Sequence, residues 1–153
     1  MSAVIEKIIK ATFDPQHVSI FQGDSSVAEY LTNMPFDHIF FTGSPAVGKH
    51  VMGAAAKNLA SVTLELGGKS PVIIHESANL IKAADSIVFS KFLNNGQTCI
   101  APDYLMVHES IYDKFLDKLR ISVSNQFGDE DGFINHKEYG RVVTKAHVQR
   151  LKD

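Results

Sequence analysis

Residues 38–49 read as a strand, a glycine turn and the start of a helix in direct succession. His38–Thr42 is short and apolar, as buried strands of parallel sheets are. Gly43–Pro45 follows as a turn, and a helix is predicted from about Ala46 to Asn58. Further strands are predicted at Ser61–Leu66 and Pro71–His75. Strands that alternate with helices predict an α/β fold with a parallel, Rossmann-like sheet flanked by helices.

Apolar spacing and turn residues predict the remaining elements. Helices are expected over Val4–Phe13, from a Ser25–Ser26 cap to Leu31, and over Asn79–Leu93, Ser110–Phe127 and Arg141–Asp153. Strands are expected at His17–Phe21 and Tyr104–His108, and a loop at Asp129–Gly132. The alternation therefore continues through both halves of the chain.

The charge, the apolar runs and the cysteine and histidine content argue against several classes of function. A net charge of −2 with dispersed basic residues argues against a nucleic-acid partner. No apolar run approaches the roughly 20 residues of a bilayer span, so no membrane span is expected. A single cysteine excludes an internal disulfide and favours a cytoplasmic location. The seven histidines lack metal-ligand spacing, so no metal site is predicted.

That single cysteine, Cys99, lies in a turn-prone segment between a predicted helix and a predicted strand. A glycine-containing corner offers backbone N–H groups that stabilise a thiolate, which makes Cys99 a candidate nucleophile. The alternative is an unreactive thiol that packs as a small apolar side chain. The local context leaves both interpretations open.

The turn from Gly43 to Lys49 has three interpretations. A glycine turn before a helix N-terminus is an anion site. The first interpretation is a phosphate-binding P-loop, whose G-x-x-x-x-G-K spacing is present, but His50 replaces the required Ser or Thr and Pro45 removes an N–H group. The second interpretation is a dinucleotide-binding turn, but Pro45 replaces the second glycine of its fingerprint. The third interpretation is a plain connection without a ligand.

Glu65 is the second candidate for chemistry. It ends an apolar strand between Leu64 and Leu66, where desolvation favours a proton-accepting carboxylate, and two glycines follow it. The alternative is a strand-end glutamate exposed to water. A base and a nucleophile in one chain would form a coherent catalytic pair.

Three motifs together resemble the aldehyde dehydrogenase superfamily. They are Phe41–Ser44, Leu64–Pro71 and Gly96–Cys99, in that order and with Glu65 and Cys99 34 positions apart. The segment Ala101–Tyr104 resembles the class 3 branch of that superfamily. Since family chains are roughly three times as long, the resemblance implies a central fragment that ends part-way into the catalytic domain. Residues 1–64 would be the later half of the cofactor domain and residues 65–153 the first part of the catalytic domain.

The resemblance implies roles for these residues. Cys99 would attack an aldehyde, giving a thiohemiacetal and then a thioester, and Glu65 would activate the water that releases a carboxylic acid. The backbone N–H of Cys99 would be one oxyanion donor. NAD or NADP would be the cofactor. Its expected contacts are Gly43, Ser44, Pro45, Ala46, Val47, Gly48, Leu66 and Gly67, with Ser44 near the pyrophosphate and Val47 beside the adenine.

Some parts of the family's site have no match in this sequence, among them its side-chain oxyanion donor and two ribose-binding segments. We therefore expect the isolated chain to be inactive or nearly so. Two alternatives are a truncated, non-catalytic chain that acts through association and an acylating dehydrogenase that uses coenzyme A. Glu65 argues against the second alternative, because a thiol acceptor needs no water-activating base. For the full-length enzyme, the resemblance implies a homodimer. The sequence does not specify which aldehyde is oxidised.

Overall fold

The computed structural model describes residues 2–128 and 139–153, and the predicted loop Asp129–Gly132 lies outside them. The chain divides into two compact units, the first ending at Leu66 and the second beginning at Gly67. Each unit contains one pair of parallel strands with helices. The predicted α/β class with parallel strands is confirmed.

The first unit consists of three helices and two strands. They are α1 (Ser2–Thr12), α2 (Ser25–Thr32), β1 (His38–Thr42), α3 (Pro45–Ala56) and β2 (Ser61–Glu65). Strand β1 pairs with β2 in parallel, with His38 opposite Ser61 and Thr42 opposite Glu65. The buried side chains of this unit, Val51, Ala54 and Ala55, all lie on α3.

The second unit is built on β3 (Ser70–Ile74) and β4 (Pro102–Val107), which pair in parallel with an irregularity between Ser70 and Pro71. Its helices are α4 (Leu80–Phe92), α5 (Tyr112–Phe127) and α6 (Lys145–Lys152), with short 3-10 turns at Leu93–Gly96 and Glu109–Ile111. Its core joins Ile74, Ala84, Ile111 and Phe115.

Two predicted elements differ from the structure. The predicted strand His17–Phe21 is absent, because the amides of His17 and Val18 both donate to the Asp14 carbonyl in a turn. The last helix begins at Lys145 rather than Arg141, because Thr144 caps it by accepting a hydrogen bond from the His147 N–H.

The cap of α2 is Asp24 rather than Ser25 or Ser26. Its carboxylate accepts hydrogen bonds from the Ser26 hydroxyl at 2.6 Å and from the Ser26 amide at 2.9 Å. These two bonds, the hydroxyl bond first, hold the pKa of Asp24 below its usual value. An ionised side chain at this position also interacts favourably with the positive end of the helix.

Candidate active site

Glu65 and the Gly43 turn meet at the carboxyl edge of the β1–β2 sheet. Thr42 and Glu65 are the last paired residues, and the Gly43 N–H donates to the Glu65 carbonyl oxygen at 3.0 Å. Ligands of open parallel sheets bind beyond the carboxyl ends of the strands. The candidate base and the candidate cofactor turn therefore lie at the edge where such a ligand is expected.

The Glu65 side chain is exposed, so the expectation that its neighbours desolvate it is wrong for this unit. Successive side chains of a strand point to opposite faces. Leu64 and Leu66 both lie near Gly48 on the α3 side of the sheet, which directs Glu65 to the other face. The carboxylate is thus open to water.

Helix α3 begins with a capped N-terminus. Ser44 is the cap, and its Oγ accepts a hydrogen bond from the Val47 N–H at 3.3 Å. Pro45 occupies the first turn, where its missing N–H removes nothing that the helix needs. Ala46 and Val47 follow in the same turn, next to the positive end of the helix dipole.

Gly43 and Gly48 lie at closely packed positions and do not have positive φ values. A Cβ on Gly43 would clash with the ring of Phe41, and a Cβ on Gly48 would lie 3.0 Å from a methyl group of Leu66. Gly48 is buried. The absence of a side chain at Gly48 thus lets α3 approach the end of β2, where Glu65 and Leu66 lie.

A cleft of about 710 Å³ lies between α2 and α3. Its walls combine apolar and polar side chains, among them Ala28, Thr32, Val47, His50 and Lys57. Val47 is 48% exposed and belongs both to this cleft and to the first turn of α3. A planar, mostly apolar group in the cleft would therefore lie beside the helix N-terminus that favours an anion.

Cys99 follows a turn of unusual backbone conformation. Three consecutive residues, Asn94, Asn95 and Gly96, have φ values of 52°, 57° and 72°. Glycine adopts this left-handed region readily, and asparagine does so more often than other residues with side chains. Cys99 itself is exposed, and within the described part of its unit the Cys99 N–H donates to no acceptor.

Side-chain amides connect the two ends of this turn. Asn94 Nδ2 donates to the Gln97 carbonyl oxygen at 3.1 Å, and Gln97 Nε2 donates to the Asn94 carbonyl oxygen at 3.0 Å. The Gln97 backbone N–H donates to the same Asn94 oxygen at 3.2 Å. The sequence predicts no role for Asn94 or Gln97, because left-handed asparagines in succession leave no periodic pattern.

Gly68 contacts the backbone of the Cys99 segment. A Cβ on Gly68 would lie 2.6 Å from the Cys99 carbonyl oxygen, whereas a Cβ on Gly67 would meet nothing within 4 Å. Lys69 Nζ lies 3.2 Å from Asp103 Oδ1 beside this contact. Gly67 is a predicted site residue and Gly68 is not, because the close contact at Gly68 involves a segment distant in sequence.

The structure thus distributes the predicted residues over two units. Glu65, Leu66 and the Gly43–Gly48 turn belong to the first unit, and Gly67 and Cys99 belong to the second. Over residues 2–128 and 139–153 there is no cluster of three potential metal ligands. No helix in the described part of the chain has the length and apolar character needed to cross a bilayer.

Comparison with known proteins places the whole chain in one group. The aldehyde dehydrogenase family profile matches residues 1–153. The chain is 44% identical to the 4,4'-diaponeurosporen-aldehyde dehydrogenase of Staphylococcus aureus, covering 99% of this chain and 32% of that protein. It is 41% identical to the dimeric NADP-preferring aldehyde dehydrogenase of Mus musculus, covering 99% of this chain and 33% of that protein.

A solved structure agrees with these relatives. The substrate-bound state of Staphylococcus aureus AldH superposes with a TM-score of 0.85 at 43% identity, covering 98% of this chain and 32% of that one. The chain therefore spans about a third of the length of the curated relatives that it matches. The likeness extends along nearly the entire described fold.

Proposed function

Because the chain belongs to the aldehyde dehydrogenase family, we propose that it carries the nucleophile and the base of an NAD(P)-dependent oxidation of an aldehyde to a carboxylic acid. The observation that carries this proposal is the exposed Cys99 three residues after a left-handed turn, with an N–H that donates to no acceptor among the described residues of its unit. Thiolates react when they are accessible and when backbone dipoles favour the charge. The specific aldehyde is not part of the proposal.

In this mechanism the Cys99 thiolate forms a carbon–sulfur bond to the aldehyde carbonyl and gives a thiohemiacetal. The Cys99 N–H donates to the developing oxyanion. Loss of a hydride from the thiohemiacetal carbon leaves the Cys99 thioester, and a nicotinamide dinucleotide, when bound, would be the hydride acceptor. Glu65 takes a proton from water, whose oxygen attacks the Cys99 thioester; the carbon–sulfur bond breaks, and the carboxylic acid and the thiolate are released.

The first unit fits the adenosine end of such a cofactor. The cleft between α2 and α3 presents Val47 and Ala28 to a planar ring, and the capped N-terminus at Ser44 lies beside it. Gly43, Pro45, Ala46 and Gly48 shape the same turn, while Leu66 and Gly67 follow Glu65 toward the proposed nicotinamide end. Both NAD and NADP are candidates, and the similarity to the NADP-preferring mouse relative supports testing both.

We assign residues 1–64 to the later half of a cofactor domain and residues 65–153 to the first part of a catalytic domain. The coverage of about a third of each relative supports the view that further segments complete the site. Loss of one oxyanion donor alone lowers the rate of an enzyme by about a hundredfold or more. The isolated chain is therefore proposed to have little or no activity, while a full-length enzyme would be a cytoplasmic homodimer of the class 3 type.

A second candidate is a non-catalytic chain that acts through association. Both faces of a parallel sheet are ordinarily covered. In the second unit, however, Ile73 is 75% exposed, and Tyr104 and Met106 are exposed on the same face. Concentration-dependent oligomers that bind a hydrophobic dye would support association, and a compact monomer that binds no dye would exclude it.

The test of the main proposal incubates the purified chain with NAD or NADP and either an aromatic or a long apolar aldehyde. Absorbance of the reduced cofactor is followed, with Cys99→Ala as the control, and Cys99 is alkylated in parallel. We expect no absorbance change but faster alkylation than that of an unstructured reference thiol. Cys99-dependent reduction would contradict the expected inactivity. Alkylation at the reference rate would contradict the role of Cys99 as an activated nucleophile.

Two further measurements separate the chemical alternatives. If the completed enzyme produces acid from aldehyde without coenzyme A, the acylating alternative is excluded. Replacement of Glu65 by Gln should then allow thioester formation on Cys99 but slow its hydrolysis, because the carboxylate that accepts the proton of water is gone. Equal hydrolysis rates for the two proteins would remove Glu65 from the mechanism.

A further inference from the structure

The Gln97 side chain has two hydrogen-bond acceptors, whereas the Asn94 side chain in the same turn has one. Gln97 Nε2 donates to the Asn94 carbonyl oxygen at 3.0 Å and lies 3.4 Å from the Arg141 carbonyl oxygen. The backbone carbonyl oxygen of Gln97 accepts a hydrogen bond from Asn94 Nδ2 at 3.1 Å. One side chain thus connects both ends of the turn and a segment 44 residues further along the chain.

Contacts of this kind stabilise the turn, because two of its residues that carry side chains have a left-handed backbone conformation. Asn94 and Asn95 both have positive φ values, and Gly96 continues the run. Non-glycine residues in this region carry a conformational cost and persist only where surrounding contacts hold them. Gln97 supplies two of the hydrogen bonds that close this turn, one from its backbone and one from its side chain.

The second acceptor, the Arg141 carbonyl, belongs to an anchored segment. The Tyr139 ring packs at 6.0 Å from the ring of Phe92 and at 5.9 Å from that of Phe127, at the ends of α4 and α5. Arg141 donates from Nη1 to the Tyr139 carbonyl oxygen at 2.7 Å. A hydrogen bond to Arg141 therefore connects the Cys99 turn to the helical part of the unit.

We propose that Gln97 is a positioning residue for Cys99, which holds the left-handed turn by donating from one side-chain amide to the carbonyls of Asn94 and Arg141. This inference rests on the proposed function, because it concerns the presentation of the nucleophile. Gln97 does not touch the thiol in this scheme. It fixes the direction of the backbone that leads to Cys99 and to its N–H.

The test replaces Gln97 by Met, which preserves length and removes the donor. Alkylation of Cys99 is measured from pH 6 to pH 10 in the 153-residue chain. We expect the rate at neutral pH to fall by about fivefold, the equivalent of one ordinary hydrogen bond, and the pH profile to move upward. An unchanged rate and an unchanged profile would overturn the inference.

Gln126→Met is a matched control in the same unit. Gln126 Nε2 also has two acceptors at the same distances, Ser122 Oγ at 3.0 Å and the Asp85 carbonyl oxygen at 3.4 Å. Those acceptors lie between α4 and α5 rather than in the Cys99 turn. Gln126→Met should lower the stability of the unit to a similar degree without moving the alkylation profile. If both variants move the profile equally, the role of Gln97 is only structural.

Gln97→Glu is a second variant for the case in which Met disturbs folding. It keeps the shape but places a carboxylate oxygen against two carbonyl oxygens, so its effect should exceed that of Met. Tyr139→Ala separates the two acceptors, because it releases the segment that carries Arg141. The effect of Gln97→Met should be smaller in that background. An equal effect would limit the role to the Asn94 contact and overturn the Arg141 connection.

Hydrogen exchange of the peptide that contains residues 93–101 gives a readout that does not depend on thiol reactivity. Exchange should become faster in Gln97→Met and stay unchanged in Gln126→Met. Unchanged exchange in Gln97→Met would overturn the inference even if Cys99 is a reactive nucleophile. If Cys99 of the wild-type chain reacts like a reference thiol while exchange responds as expected, the proposed function fails and the positioning of the turn stands.

Discussion

The two turns that carry the candidate chemistry are held in different ways. The turn at Ser44 joins a strand to a helix through a local cap and a proline in the first helical turn. The Cys99 segment contacts residues distant in sequence, because Gly68 lies against the Cys99 carbonyl oxygen and Gln97 Nε2 lies 3.4 Å from the Arg141 carbonyl oxygen. The difference shows that the Ser44 turn is specified by neighbouring residues, whereas the conformation of the Cys99 segment requires a folded unit.

The largest expected effect tests whether the Cys99 turn depends on the core of its unit. Phe115 is 2% exposed and packs with Ile74 and Ile111. Phe115→Ala should lower the free energy of unfolding by about 3–5 kcal/mol and increase exchange in the Cys99 turn. Chemical denaturation followed by circular dichroism measures the stability. Phe89→Ala, at a side chain that is 61% exposed, is the control and should change stability by less than about 0.5 kcal/mol.

Gly68→Ala should produce the next largest effect. The new Cβ would lie 2.6 Å from the Cys99 carbonyl oxygen, so backbone atoms must shift. We expect a loss of about 1–3 kcal/mol of stability and an altered alkylation rate at Cys99. Gly67→Ala is the adjacent control, because its Cβ has open space. Equal stabilities for the two variants would show that Gly68 does not constrain the Cys99 segment.

Ser44→Ala tests whether the Ser44 turn is held by contacts within its own helix alone. Loss of the cap should cost about 1 kcal/mol of stability, while Ser44→Gly should cost only a few tenths. Neither substitution should alter alkylation of Cys99, since the cap contacts Val47 within its own helix. Thermal unfolding measures the loss of stability, and the alkylation assay measures the reactivity of Cys99. A changed Cys99 rate would contradict the independence of the two turns.

The smallest effect is a pH dependence at the cap of α2. The pKa of Asp24 is lowered by the Ser26 hydroxyl and amide. Its ionised form therefore contributes stability that is present above the ordinary aspartate value of 3.8 and is lost as pH falls through the lowered value in the folded state. Asp24→Asn should remove this component of the acid titration of stability. An unchanged acid titration would exclude Asp24 as a contributor.

The sequence predicted the regular elements and the local turn well, because both follow from short-range patterns. The strand His38–Thr42 was correctly bounded, and Asn79–Leu93 was close, with Asn79 as the cap of α4. The strand at His17–Phe21 was wrong, because alternation alone does not supply a pairing partner. The cap at Asp24 was missed by one or two positions, a usual uncertainty at helix ends.

The candidate site was predictable only as a set of residue types. Glu65 was identified at a strand end, but its exposure depends on which face of β2 packs against α3. The contact of Gly68 with the Cys99 segment and that of Gln97 with Arg141 were not predicted, because each involves a backbone carbonyl oxygen of a residue distant in sequence. Contacts of this kind become visible only when the chain is folded.

The most direct test of the account is the alkylation rate of Cys99 in the native chain, compared at neutral pH with the rate in denaturant. We predict that the native thiol reacts faster than the unfolded one, because the folded segment presents it beside an N–H that has no acceptor among the described residues. A native rate equal to or below the unfolded rate would contradict the claim that this turn activates Cys99.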